Sequence, residues 1–389
     1  MKIAFISTRN GYLDQGTLMF DKANGRLINQ LLKKYPEMLV VSYSAAQPRA
    51  VYNEPIATQN LRMMPETRSY IQGFRNTREV STLLKELNAE YDAFIFQLPF
   101  HAFLAMRRQT KPSVFHICAN VVTAAQNPIK YSGWRGIISR AIAGRLDRAY
   151  RKQFKKKNNA VVTNGDELAQ LYGEYTPVAT VSSSILDAEV VPQINKTAPG
   201  TPFQLVFVGR PTLEKGVDLL VNAILMLQQR GLQVHLTCIG FTEEEFLQAN
   251  QHLQVMSGSE SIEVSFAGVI PFGPALLAKY QEADALVLPS RNEGTPRVLI
   301  EARSQGCPVV ATRVGGIPSS IQHGEDGLLV PPEDATALAE ALASLIDDPA
   351  LWVRLARQGL ERVRSMTVEN FSKVFEDKID ALAASYGKQ

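Results

Sequence analysis

Cysteine is scarce in this chain. Cys118, Cys238 and Cys307 lie far apart, each in or beside an apolar segment and none with Cys-x-x-Cys spacing, which leaves three reduced core thiols rather than a disulfide framework. The five histidines form no His-x-x-x-His or His-x-x-Glu-His pair, so no metal site is expected. No apolar run approaches the roughly 18 residues of a membrane span, and the apolar run after Met1-Lys2 is too short for a signal-peptide core. An excess of one charge is missing too: 41 Lys and Arg against 38 Asp and Glu leave +3, so global charge selects no polyanion and no nucleic-acid partner is expected. Together these absences predict a soluble, cytoplasmic protein.

What is present is an α/β pattern. At roughly 150 residues per domain, 389 residues predict two or three domains. Short apolar or β-branched runs alternate with longer helical patterns, the signature of parallel sheets covered by crossover helices. In the first half the spacing predicts strands over 2–7, 38–43, 93–97, 113–117, 160–163 and 178–182, with helices over 18–34 and 77–87 between them. A second series of strands covers 204–208, 233–239, 263–267, 285–289, 308–311 and 327–330. Two doubly wound sheets fit this better than one. Residues 187–202 carry Pro192, Pro199, Gly200 and Pro202 without a helical period and are the expected linker between domains over 1–186 and 203–367. A last helix over 368–386 sets Phe371, Val374, Phe375, Ile379 and Leu382 at helical spacing.

Two stretches carry chemistry. In the first, the strand ending at Val208 runs into Gly209-Arg210-Pro211-Thr212-Leu213-Glu214-Lys215-Gly216, a loop where open α/β sheets bind ligands. Its planar guanidinium and mobile ammonium suit a diphosphate that gains charge as it leaves, although Arg210 and Lys215 pairing with Glu214 or Asp218 is the plain alternative. In the second, Glu293-Gly294-Thr295-Pro296-Arg297-Val298 leads into a helix of about three turns capped by Thr295, started by Pro296 and ended by Gly306. Free amides of Arg297 and Val298 would form an anion site there. Glu293 and Glu301, eight positions apart, would repel phosphates and so should face sugar hydroxyls. Taken singly, Glu293 has a structural alternative in the helix dipole, and Glu301 in pairing with Arg297 or Arg303.

On these residues the chain resembles the family 4 retaining glycosyltransferases, also known as glycosyl transferases group 1. Gly209, Arg210, Lys215 and Gly216 match the family's Gly-Arg-x4-Lys-Gly loop, and Glu293 and Glu301 its Glu-x7-Glu motif. Val314-Gly315-Gly316-Ile317-Pro318 and Asp326-Gly327-Leu328-Leu329-Val330-Pro331-Pro332 look like its next two signatures, with Ser319 where the family often has Glu. The resemblance implies the GT-B fold, two Rossmann-like domains facing a cleft, with the N-terminal domain taking the acceptor and helix 368–389 packing back on it. It further implies that Arg210 and Lys215 hold the diphosphate of a nucleotide-sugar donor, that Glu301 binds ribose hydroxyls, and that Glu293 contacts the hexose near the amides of Gly294 and Thr295. Transfer would retain anomeric configuration without metal or other cofactor, from a UDP-sugar ahead of a GDP- or ADP-sugar. The acceptor would be a glycan, a lipid-linked sugar or another hydroxyl, in cell-envelope or exopolysaccharide synthesis.

The resemblance also makes His116, ending the strand over 113–117, the histidine expected at the donor sugar, with His101 as its competitor. Gly11-Tyr12-Leu13-Asp14-Gln15-Gly16-Thr17 has the Gly-x4-Gly skeleton of a P-loop, but Thr17 stands where Lys is required. Gly16 and Thr17 are instead expected to close on the donor phosphates from a strand-to-helix loop; an ordinary turn is the alternative. Over 130–157 Lys and Arg recur with Asp147 as the sole acid, while Trp134, Ile137, Ile138, Ala141, Ile142, Leu146, Ala149 and Tyr150 return at helical spacing. This basic amphipathic helix suits peripheral contact with the anionic inner face of a membrane or a negative acceptor. A scaffold helix with its apolar side in the core is the other reading.

Competing classes leave specific traces. A dehydrogenase needs Gly-x-Gly-x-x-Gly after a strand, and a metal-dependent transferase of the other common fold an Asp-x-Asp pair; neither occurs. A nucleotide-sugar epimerase of the same fold would share the donor site, and a membrane-surface or polyanion-binding protein with a degenerate sugar site would keep only the basic helix.

Overall fold

A computed structural model describes the chain except residues 49–51, 68–71, 74–75, 100–108, 126–132, 176–177, 182–185, 187–193, 195, 250–261, 295 and 387–389. It divides into two units, Met1–Ile185 with Val368–Gln389, and Leu186–Thr367.

In the first unit the described strands are β1 (Ile3–Asp14), β2 (Thr17–Asp21), β3 (Leu39–Ser44), β4 (Tyr52–Pro55), β5 (Leu61–Met64), β6 (Ala93–Leu98), β7 (Ser113–Ile117), β8 (Asn159–Asn164) and β9 (Val178–Val181). A parallel run β5-β3-β1-β6-β7-β8-β9 forms the sheet. Alternation along the strands sends Ala4, Ile6, Phe94, Phe96 and Phe115 to one face and Ile3, Phe5, Ile95 and Val114 to the other. The first face lies under α2 (Thr77–Glu90), α4 (Gly133–Phe154) and α5 (Asp166–Gly173); a short α3 (Val121–Ala125) leads into α4. The second face lies under α1 (Lys22–Lys34) and the last helix, α13 (Val368–Tyr386), which buries Phe371, Phe375 and Ile379 there. Each such apolar side chain contributes roughly 1.5–3 kcal/mol.

The strand-to-helix loop expected at Gly11–Thr17 is instead the tip of a hairpin. β1 continues to Asp14, and β2 pairs back antiparallel with Asp14 opposite Thr17. Gln15 (φ 46) and Gly16 (φ 87) make a two-residue turn with both φ positive, the geometry that matches strand twist. Leu18 and Phe20 are therefore strand residues, and helix α1 starts only at Lys22, capped by the Asp21 carboxylate. No helix amides gather at Gly16 or Thr17, so the phosphate argument made for them does not hold.

In the second unit the described strands are β10 (Phe203–Val208), β11 (Val234–Ile239), β12 (Glu263–Phe266), β13 (Ala285–Leu288), β14 (Val309–Thr312) and β15 (Leu328–Val330). All pair parallel, in the order β12-β11-β10-β13-β14-β15. This is the doubly wound 3-2-1-4-5-6 order, whose reversal lies between β10 and β13. Leu205, Phe207 and Val287 pack under α6 (Val217–Gln229), α11 (Ala335–Asp347) and α12 (Pro349–Val363). Val206, Leu286 and Leu288 pack under α8 (Pro274–Glu282), α9 (Val298–Ser304) and α10 (Ile317–Ser320), while α7 (Glu243–Ala249) follows β11. Within the span 187–202 read as a linker, Lys196 is docked on this unit: its ammonium donates to the buried Asp284 carboxylate at 2.8 Å and to the Glu282 carbonyl at 2.8 Å.

Candidate donor site at the switch point of the second unit

Ligands of doubly wound sheets bind beyond the strand ends where the order reverses. Here those ends are Val208 of β10 and Leu288 of β13, and the loops that follow them are the two singled out by sequence. After β10 the chain makes a single 3₁₀ turn, Leu213–Lys215, and then a left-handed Gly216 (φ 67) that starts α6. Gly216 is required twice over: its φ favours glycine, and a Cβ there would collide with the Pro289 carbonyl of the opposite loop. The same close approach recurs at Gly240 (φ 112) against the Gly209 carbonyl and at Gly315 (φ 51) against the Glu293 carbonyl. The Gly316 amide donates to the Gly294 carbonyl at 2.9 Å. Four loops are thus stacked main chain on main chain.

This stacking brings Lys215 and Glu293 into a direct ion pair. Ser290 Oγ donates to the same Glu293 oxygen at 2.9 Å. The Glu293 side chain is only 9% exposed. Arg210, on the Lys215 loop, and Arg297, at the cap of the helix that follows Glu293, are exposed, and Thr295 lies outside the described residues. Asp218, the sequence alternative as a partner for Arg210 or Lys215, is taken by Arg291. That guanidinium also donates to the Leu213 carbonyl at 2.6 Å and to Glu333 at 2.6 Å, and the Arg291 amide donates to the Glu214 carbonyl at 2.8 Å. Arg291 therefore ties the Lys215 turn to the Glu293 loop. Sequence reasoning missed it, along with Ser290, because local spacing does not report which group on another loop a side chain meets.

The helix bearing Glu301 is shorter than expected. It runs over Val298–Ser304 with Arg297, itself in helical geometry, at the cap position. Amides of Leu299, Ile300 and Glu301 are taken by Pro296 and Arg297 carbonyls, and Gly306 (φ 68) ends the helix. Glu301 is 6% exposed, and its Oε2 accepts from Tyr280 Oη at 3.0 Å. Burial first, and then this carboxylate, push the Tyr280 phenol well above its ordinary range. Arg303, read as a surface partner for Glu301, is buried and paired with Asp326 at 2.9 Å and with Ser320.

His116 is corrected. It lies on β7 in the first unit with 1% of its surface exposed. Its Nε2 meets Asn164 Oδ1 at 2.9 Å, and its ring packs against Phe375 and Phe371 of α13, with centroids 5.0 and 5.7 Å away. A ring so enclosed offers nothing to a sugar; it is a satisfied core histidine. His101 lies outside the described residues.

The two units are those of the GT-B fold. Over 99% of this chain and 100% of the other, the backbone is similar to a sucrose-phosphate synthase from Thermosynechococcus elongatus with a TM-score of 0.70 at 18% identity. It is also similar to HepE from Anabaena, solved in complex with UDP-glucose, over 98% of this chain and 100% of that one, with a TM-score of 0.66 at 17% identity. Residues 202–348, within the second unit, match the family described as glycosyl transferases group 1. Curated relatives include a glycogen synthase of Mycobacterium tuberculosis, 31% identical over 61% of this chain and 56% of the relative. A D-inositol 3-phosphate glycosyltransferase of Pseudarthrobacter chlorophenolicus is 36% identical over 44% of this chain and 43% of the relative. The match thus spans about half the length of these relatives.

Proposed function

We propose that the protein is a retaining glycosyltransferase that moves a hexose from a nucleoside diphosphate sugar, UDP first among candidates, to a hydroxyl of a glycan or lipid-linked acceptor in envelope or exopolysaccharide synthesis. The observation that carries this reading is the Lys215–Glu293 pair at the strand-order reversal, with exposed Arg210 on the Lys215 loop. A paired ammonium and carboxylate are a poised exchange: an arriving diphosphate takes Lys215 as its counter-ion, and Glu293 is released to a sugar hydroxyl. Fixed cations then stabilise the leaving diphosphate, which needs no general acid. Names of the curated relatives, among them a putative colanic acid biosynthesis glycosyltransferase of Escherichia coli, 31% identical over 44% of this chain, support the class of reaction.

Calorimetric titration with UDP, GDP and ADP tests the donor site, and product analysis tests the reaction. The expected result is tight binding of one nucleotide, lost in Lys215→Ala, and a glycosylated acceptor with the donor's anomeric configuration. Undiminished binding by Lys215→Ala would overturn the leaving-group role, and an isomerised donor without transfer would identify an epimerase.

A further inference from the structure

Helix α4 buries only part of the apolar residues that its sequence offers. Its core side is Ala143, Leu146, Tyr150 and Phe154. Ile137 and Ile138 stand 63% and 40% exposed, and Ala141 is exposed with them. At 3.6 residues per turn, positions 137, 141, 145, 148, 152 and 155 fall within about 80° of arc. That stripe therefore begins with Ile137 and Ala141 and continues as Arg145, Arg148, Lys152 and Lys155, all exposed, with Ile138 and Arg140 flanking it. The one acid of the helix, Asp147, is buried on another side, accepting from Arg151 at 2.6 Å and from Tyr172 at 2.9 Å. Nothing anionic on α4 itself offsets the stripe. Crowding of cations shows at Lys156, whose ammonium is held below its ordinary value by burial and then by Lys152.

We propose that this face of α4 is a docking surface for the anionic surface of a lipid bilayer, with Ile137 and Ile138 entering the headgroup region and Arg140, Arg145, Arg148, Lys152 and Lys155 on the phosphates. A scaffold helix gains nothing by exposing two isoleucines beside a cationic row, whereas an interfacial helix needs both features on one side. Among the described residues no helix is long and apolar enough to cross a membrane, so the contact lies on the bilayer rather than through it. The surface is independent of the donor-site reading and stands or falls separately.

Co-sedimentation of the full chain with phosphatidylcholine vesicles, with and without phosphatidylglycerol, tests it. The expected result is binding only with phosphatidylglycerol, reversed by salt. Each removal of Arg145, Arg148 or Lys152 as alanine should weaken the apparent affinity about fivefold. The double variant Ile137→Ser/Ile138→Ser should bind more weakly at unchanged charge, and both sets should keep the wild-type melting temperature. Equal binding to both vesicle types, no binding to either, or unchanged binding by the triple alanine variant would overturn the proposal. So would tight binding to heparin without binding to anionic vesicles, which would assign the face to a soluble polyanion.

Discussion

Arg291 and Asp218 meet fork to fork, Nη1 and Nη2 donating to Oδ1 and Oδ2 at 2.7 Å each. The pair joins the first turn of α6 to the loop after β13, and Arg291 holds the Lys215 turn with its remaining donors. Burial acts to raise the Asp218 carboxyl, but the guanidinium overrides it and leaves it below its ordinary value. Because the folded state is the more acidic, the contribution is complete above the unfolded-chain value of about 4 and is lost as pH falls through the lower folded value. Asp218→Asn should therefore cost about 2 kcal/mol at neutral pH by denaturant melts, and the gap to wild type should close in acid. A gap constant with pH would refute the pairing.

Gly216→Ala places a methyl against the Pro289 carbonyl in a left-handed conformation. The expected loss is at least about 1–2 kcal/mol from the backbone alone, read as a lower melting temperature, together with loss of nucleotide binding as the Lys215 turn is pushed aside. Full binding by this variant would show that the loops are not held in register by this contact.

His116→Ala separates a packing role from a sugar contact. Removing the ring leaves a void against Phe371 and Phe375 and deletes the hydrogen bond to Asn164 Oδ1. Stability should fall by about 2–4 kcal/mol, while calorimetry finds nucleotide affinity unchanged. An intact melting temperature with abolished turnover would restore the catalytic reading.

Tyr280→Phe removes the phenol donor from the buried Glu301 carboxylate. Deleting this hydrogen bond to a buried carboxylate should cost about 1–3 kcal/mol, with a smaller effect on nucleotide binding than Glu301→Gln produces. Equal loss of affinity in both variants would mean that Tyr280 acts directly on the ligand.

The second unit was readable because its strands are short apolar runs bounded by loops whose glycines and prolines announce them. Predicted strands over 204–208 and 285–289 differ from β10 and β13 by a residue at one end. The first unit misled where local signals compete. The strand expected over 2–7 runs on as β1 through the Gly11–Asp14 stretch read as loop, and Leu18 and Phe20 fit a helix period until their alternation with half-buried Thr17 and Met19 is seen. Strands β4 and β5 were missed: four residues each, one of them polar and ending in Pro55, they carry too little apolar pattern. At the site, residue types could be read but not their pairing. Which cation meets which carboxylate depends on main-chain stacking at Gly216, Gly240 and Gly315, a through-space property that no local spacing reports.

That stacking has a consequence for how such a site diversifies. Loops that lean on one another through carbonyl and Cα leave exposed side chains between the contact points, such as Arg210 and Asn292, outside the stacking, so these can be exchanged while the scaffold stays put. The three glycines have no such latitude: an alteration at any of them displaces two loops together, which makes them the fixed points around which the exposed positions can drift.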